Sequence, residues 1–165
     1  MDVSLRAIEP GDMDALFAME SDPVGWHMVA FADPGPRDRL AFDAHWQRVL
    51  ADPSADVRAV LLDGAFAGTV MCFVRGVERE VGFWIRRPLW GRGVAGAALR
   101  ALLESVPERP LFARCAGDNL GSRRVLERAG FTLLREERWT SHARGGEIDE
   151  RVYVLRGAGG ETDGV

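Results

Sequence analysis

A glycine-rich turn between a strand-like and a helix-like segment carries the strongest chemical signal in the sequence. The segment Arg86–Gly96 contains the glycines Gly91, Gly93 and Gly96 and the arginines Arg86, Arg87 and Arg92. Glycine allows a close approach of the backbone to a ligand. The free N–H groups of a helix N-terminus favour an anion, and the planar fork of arginine suits phosphate. The turn therefore predicts a phosphate-binding loop, although glycines also serve tight strand-to-helix turns.

The glycines also fit a dinucleotide-binding fingerprint. Gly91 to Gly96 match G-x-G-x-x-G. Asp118 follows at about the sequence separation expected of a residue that contacts the ribose. That fingerprint normally opens a doubly wound parallel sheet. Here it follows an antiparallel meander, lies several residues past the strand end, and precedes only one further βα unit. We therefore reject a dinucleotide site.

The elements that must position this turn form an α+β domain. The hydrophobic pattern predicts strands at 3–8, 57–62, 65–75, 79–86, 111–116, 131–139 and 147–155, and helices at about 12–20, 37–50, 92–104 and 119–129. Asp63-Gly64 favours a hairpin, and Gly130 suits a left-handed helix cap. The proline- and glycine-containing segment 21–36 is predicted to be an irregular loop. We expect a mixed, mostly antiparallel sheet of about seven strands with about four helices, in three αβα-like layers.

Composition limits the broader class of protein. The chain has 165 residues, 47% of them hydrophobic, which predicts one domain at 3–156 and a flexible tail at 157–165. A net charge of −4 argues against non-specific nucleic-acid binding. No apolar run approaches the roughly 20 residues that span a bilayer, and a signal-peptide pattern is absent. Cys72 and Cys115 lie in apolar strand-like runs and are interpreted as buried thiols. We expect a cytoplasmic protein without a metal site.

Two motifs lie in order on the predicted elements. The first is Trp90-Gly91-Arg92-Gly93-Val94-Ala95, and the second is Asn119-Leu120-Gly121-Ser122 followed by a helix ending in Gly130-Phe131. Together with Leu5-Arg6 and Asp12, they resemble the GNAT superfamily of acetyl-CoA-dependent N-acetyltransferases, in its ribosomal-protein-acetyltransferase-like (RimJ/RimL-type) branch. The resemblance covers about residues 3–156 and implies the acyl-CoA N-acyltransferase fold.

The resemblance implies where acetyl-CoA binds. Backbone N–H groups of the loop would hold its pyrophosphate, and the preceding strand end would pair with the pantetheine arm through main-chain hydrogen bonds. Asn119 and Ser122 would contact the cofactor near the thioester, although both residues also suit a helix cap. The implied cofactor-binding residues are Trp84, Ile85, Arg86, Gly91, Arg92, Gly93, Val94, Ala95, Gly96, Asn119 and Ser122.

Acetylation of an amine requires a neutral amine, donors for the developing oxyanion, and a proton for the departing thiolate. Many family members supply that proton from a tyrosine, but Leu126 stands at that place, and the only tyrosine is Tyr153. By resemblance Ser122 is the substitute acid, and a water relay is equally open. Glu80 resembles the glutamate that acts as base in some relatives, unless it is a solvated charge. His27 is the alternative base.

The acceptor site is predicted to include Trp26, His27 and Phe31 and the turn at about 141–146. Acidic and aromatic residues suit a cationic amine, but they do not separate a peptide N-terminus from a small-molecule amine. Homodimers are frequent in the family, and nothing in the sequence fixes the oligomeric state. We expect direct attack in a ternary complex, because neither cysteine stands where an acetyl carrier is expected. The missing tyrosine keeps open a catalytically inactive acyl-CoA sensor or scaffold.

Overall fold

The structure, a computed structural model, describes residues 1–32 and 38–158. Its strands are β1 (Val3–Ala7), β2 (Asp56–Leu62), β3 (Ala65–Arg75), β4 (Glu78–Ile85), β5 (Leu111–Ala116), β6 (Thr132–Ser141) and β7 (Gly146–Leu155). Its α-helices are α1 (Met13–Glu20), α2 (Pro23–Val29), α3 (Arg39–Ala51), α4 (Val94–Ser105) and α5 (Leu120–Arg128). Short 3₁₀ turns occupy Pro10–Asp12 and Arg87–Leu89.

The seven strands form one sheet in the order β1-β2-β3-β4-β5-β7-β6. Every neighbouring pair is antiparallel except β4 and β5, which run parallel. The β3–β4 ladder continues along the strands from Gly68↔Ile85 to Arg75↔Glu78. In the described residues β4 and β5 pair only at Glu80↔Phe112, so they separate beyond that position. We call the space between Val81–Ile85 and Ala113–Ala116 the β4–β5 gap.

Helices cover both faces of the sheet, so the predicted mixed, layered α+β fold is confirmed. On one face α4 and α5 pack buried leucines such as Leu99 and Leu126 against the strands. On the other face α1 and α3 enclose a smaller cluster with Leu16 and Trp46. Side chains of a strand point alternately to the two faces. Accordingly, Phe83 packs in the first cluster and its neighbour Trp84 packs in the second.

Local signals predicted several boundaries correctly. Asp63 and Gly64 adopt the two left-handed conformations (φ 51° and 84°) of a tight hairpin, and Gly130 ends α5 with φ 96°. The cysteines are free and buried, as predicted. No helix in the described ranges is long and apolar enough to cross a membrane.

The prediction of an irregular loop over 21–36 was wrong, because the segment contains the helix α2. Asp22 caps this helix by accepting a hydrogen bond from the Val24 amide, and Pro23 occupies its first turn, where the missing N–H costs nothing. Within the described ranges the helix count is therefore five rather than about four. The predicted start of the second helix at Arg37 and most of the predicted tail, 159–165, lie outside the described residues.

Candidate active site

The glycine-rich loop connects β4 to α4 through two left-handed positions. Gly91 has φ 73°, and Gly93, the N-cap residue of α4, has φ 80°. Residues with a side chain rarely adopt this conformation, so glycine is needed at both places. A Cβ built on Gly91 would meet nothing within 4 Å, and one on Gly93 would meet only the end of Met1 at 3.8 Å. The backbone of the loop is therefore open to a ligand.

The first turn of α4 leaves amide groups free beside this loop. Hydrogen bonds within the helix begin with the Ala97 amide, which donates to Gly93 O at 3.1 Å. The N–H groups of Val94, Ala95 and Gly96 precede it and have no partner within the helix. A helix N-terminus with free N–H groups favours a negatively charged ligand such as phosphate.

The end of β4 presents alternate residues to the gap. The Arg86 amide donates to Ala67 O at 2.9 Å, so Arg86 turns its backbone toward β3. Backbone groups alternate in direction along an antiparallel strand. The backbone N–H and C=O of Trp84 therefore also point toward β3, whereas those of Phe83 and Ile85 point into the gap. Of the predicted strand-end residues, only Ile85 offers its amide to a ligand there, and its carbonyl accepts from Trp90 Nε1 at 2.7 Å.

Phe83 was not predicted as a site residue. The antiparallel register with β3, which no local sequence motif fixes, determines that its backbone faces the gap.

Asn119 caps α5 and also holds a second segment. Its Oδ1 accepts from the Ser122 amide at 3.1 Å, and its Nδ2 donates to Met28 O at 3.1 Å. Among the described residues the Ser122 hydroxyl has no hydrogen-bond partner. The cap interpretation thus holds for the Asn119 side chain, while the Ser122 hydroxyl is left available.

Glu80 is buried at the narrow end of the gap, and only 2% of its surface is exposed. It is therefore not a solvated charge. Its Oε1 accepts from Arg114 Nε at 2.7 Å and lies 3.2 Å from Arg75 Nε. Arg114 NH1 also donates to Glu150 at 2.6 Å. Burial lowers the pKa of Arg114, but its hydrogen bonds to Glu150 and Glu80 outweigh burial and raise that pKa above its ordinary value.

Arg114 had no signal of its own in the sequence. It alternates with Ala113 and Cys115, whose side chains pack in the core on the α4–α5 face. This alternation predicts that Arg114 points to the opposite face, but not that two buried glutamates meet it there.

The structure separates the two predicted catalytic residues. Glu80 pairs with Phe112 at the narrow end of the gap. Ser122 lies in the first turn of α5, past the end of β5 at Ala116. Four residues of strand correspond to about 13 Å at about 3.3 Å per residue. The two residues therefore lie at opposite ends of the gap.

The predicted acceptor residues occupy the α2 side of the sheet. Trp26 and His27 lie in α2, with His27 exposed, and Phe31 follows the helix. Phe31 contributes to a groove of about 490 Å³ near the β6–β7 turn. The lining residues are Phe31, Ala32, Arg138, Trp139, Thr140, His142 and Glu147. The groove combines the aromatic rings of Phe31 and Trp139 with the carboxylate of Glu147, which lies 4.0 Å from Arg138 Nε in the same groove.

The Arg114 cluster predicts a large and specific loss of stability. Arg114→Met leaves the buried Glu150 without its partner at 2.6 Å and Glu80 with only Arg75. An unpaired buried charge costs about 3–5 kcal/mol. Arg138→Met, which removes an exposed ion pair with Asp149, should cost about 1 kcal/mol or less. Urea denaturation of both variants measures the difference, and equal losses would contradict a structural role for the buried pairs.

Comparisons with known proteins agree with this architecture. A family model described as an acetyltransferase (GNAT) domain matches residues 2–132. The protein of Bacillus subtilis named ribosomal N-acetyltransferase YdaF is 29% identical, over 93% of this chain and 90% of its own length.

Solved structures share the fold at lower identity. Spermidine N-acetyltransferase from Vibrio cholerae, in complex with CoA and spermine, has a TM-score of 0.81 at 15% identity, covering 93% of this chain and 95% of that one. RimJ of Mycobacterium smegmatis has a TM-score of 0.79 at 20% identity, covering 93% and 81%. The chain therefore belongs to the GNAT acetyltransferase family, whose members use acetyl-CoA to acetylate amines.

Proposed function

We propose that this enzyme transfers the acetyl group of acetyl-CoA to a primary amine by direct attack in a ternary complex. The observation that carries the proposal is the continuous path of open backbone groups from the glycine-rich loop into the β4–β5 gap. Amides of the segment Gly91–Gly96 would hold the pyrophosphate. The amides of Phe83 and Ile85 would pair with the pantetheine arm as an added strand does.

Two side chains are proposed for the proton transfers, at opposite ends of the gap. The free hydroxyl of Ser122 would supply the proton to the departing thiolate, directly or through water. Glu80 would receive the proton of the amine through water, because its carboxylate is buried and bound by Arg114. His27, exposed on α2, is the alternative base. The pKa of an amine is about 8–10, so a weak base or a water relay suffices.

The acceptor is proposed to approach from the α2 side, through the groove that Phe31 and Trp139 line. Glu147 in the same groove would bind an ammonium group in place of its exposed pair with Arg138. The names of the relatives include both a ribosomal N-acetyltransferase and a spermidine N-acetyltransferase. We therefore keep two acceptor classes, a peptide N-terminus and a small polyamine or aminosugar.

A panel of acceptors tests the activity itself. We expect thiol release from acetyl-CoA with at least one of the primary amines, ribosomal-protein N-terminal peptides and aminosugar antibiotics in the panel. Free thiol is measured over time, with the enzyme alone as the background for hydrolysis. Binding of acetyl-CoA without turnover across the whole panel would support an acyl-CoA sensor or scaffold instead.

The loop prediction concerns Gly93. Gly93→Val should weaken acetyl-CoA binding by more than about tenfold, because valine disfavours the left-handed backbone and fills the open approach. Gly76→Val is the matched control, since Gly76 also has a positive φ (61°) and open surroundings but lies in the β3–β4 turn. Arg92→Ala should have a smaller effect, because Arg92 is exposed and salt screens it.

Isothermal titration with acetyl-CoA measures all three variants, and circular dichroism checks their folding. A folded Gly93→Val protein with unchanged affinity for acetyl-CoA would contradict the assignment of the pyrophosphate site to the glycine-rich loop.

Direct transfer predicts that no cysteine is essential. Burial raises the pKa of Cys115 to about 12, so its thiol stays protonated at neutral pH, whereas an acetyl carrier must react as thiolate. Cys115→Ala should therefore keep kcat within about threefold, as should Cys72→Ala, the other buried cysteine. Steady-state kinetics of both variants tests this. Loss of turnover in Cys115→Ala alone, with folding and acetyl-CoA binding intact, would indicate a covalent carrier.

A further inference from the structure

Helix α2 is too short to be stable alone. It has seven residues, Pro23–Val29, and isolated helices of this length do not persist in water. The last carbonyl groups of any helix also lack partners within the helix. Contacts with other segments of the chain must therefore hold the helix in place, and these carbonyl groups are available for them.

Three side chains from two distant segments supply these partners. Arg144 Nε donates to His27 O at 2.7 Å, and Asn119 Nδ2 donates to Met28 O at 3.1 Å. The Ser141 hydroxyl donates to Ala30 O just after the helix. Arg144 and Ser141 belong to the β6–β7 turn region, and Asn119 belongs to the junction between β5 and α5. The C-terminus of α2 is thus bound to both.

Arg144 also joins these two segments to each other. Its NH1 and NH2 donate to the two carboxylate oxygens of Asp118 at 2.8 and 3.1 Å. Its side chain is only 10% exposed, although that of Asp118 is 65% exposed. Bidentate pairs of this kind fix geometry as well as adding energy. The hydrogen bond from Arg144 lowers the pKa of Asp118, so the carboxylate stays ionised throughout the neutral range.

The other end of α2 is fixed on the β4 side. Arg87, in the turn after β4, donates through Nε to the Asp22 carboxylate at 2.8 Å. The helix therefore runs from the end of β4 to the end of β5, across the mouth of the gap between them. It carries Trp26 and His27 and leads to Phe31.

We propose that Arg144 is a positioning residue that locks α2 across the mouth of the β4–β5 gap and thereby sets the geometry of acceptor binding. The inference rests on the proposed function for its kinetic consequence. Its structural part, the fixing of α2 by the Arg144–Asp118 pair, does not. Arg144 acts through the backbone of α2 and lies apart from the glycine-rich loop, so acetyl-CoA binding should depend on it little.

Hydrogen exchange tests the structural part without any acceptor. In Arg144→Ala the amides of residues 24–30 should exchange about tenfold faster, because one carbonyl partner and the tie to Asp118 are lost. The amides of α4 should be unchanged. Arg58→Ala is the matched control, since it also removes an arginine paired with an aspartate (Arg58 Nε to Asp56, 2.6 Å), but on β2. Unchanged exchange over 24–30, or a rise throughout the chain, would overturn the proposal.

Kinetics tests the consequence for the reaction. With the amine of highest kcat/KM in the acceptor panel, Arg144→Ala should raise the acceptor KM about tenfold. The Kd for acetyl-CoA should stay within about twofold, because the loop amides are untouched. Arg144→Lys should give an intermediate KM, since lysine keeps the charge but not the planar fork. An equal increase in the acceptor KM and in the Kd for acetyl-CoA, or an unchanged acceptor KM, would contradict a positioning role.

The two proposals fail differently. Faster exchange over 24–30 in a chain that acetylates no amine would leave the role of Arg144 in fixing α2 intact and refute the proposed function. Acetylation of an amine by the unchanged chain, with amide exchange and acceptor KM the same in Arg144→Ala, would support the proposed function and refute the role of Arg144.

Discussion

Strands β4 and β5 run parallel in an otherwise antiparallel sheet, and in the described chain they pair only at Glu80↔Phe112. Past that position the amides of Phe83 and Ile85 face no strand, and Ile85 is buried. An unsatisfied buried donor costs about 1–3 kcal/mol, so a ligand that accepts these hydrogen bonds gains affinity. The glycine-rich loop and the first turn of α4 continue the same row of open donors. The separation of two strands thus creates the acetyl-CoA site that we propose.

Buried ion pairs, rather than apolar packing, hold the strands together at the narrow end of the gap. Arg114 lies between two buried carboxylates, Glu80 and Glu150. Buried pairs of this kind add little net stability, but they tolerate no loss of a partner. They therefore fix the relative positions of β4, β5 and β7 at the point where β4 and β5 begin to separate. A carboxylate held in this way is suited to receive a proton only through water.

Local signals made much of the fold predictable. Asp63-Gly64, Gly130 and the apolar run Leu111–Ala116 act within a few residues, so the sequence alone predicted those elements. The glycine-rich loop could be predicted as a binding loop because only glycine combines a left-handed backbone with an open approach. Contacts between distant segments could not be predicted from the sequence. Arg114 and Arg144 matter through partners 34 and 117 residues away (Glu80 and the His27 carbonyl), and α2 is held largely by such contacts.

The most direct measurement is the exchange of individual β4 amides with solvent, followed by NMR with and without acetyl-CoA. The expected protection alternates along β4. Saturating acetyl-CoA should slow exchange at Phe83, Ile85 and the loop amides of Gly91–Gly96. It should leave Gly82 and Trp84 unchanged, because β3 already binds their amides. Uniform protection along β4, or protection confined to another surface, would contradict the placement of acetyl-CoA in the β4–β5 gap.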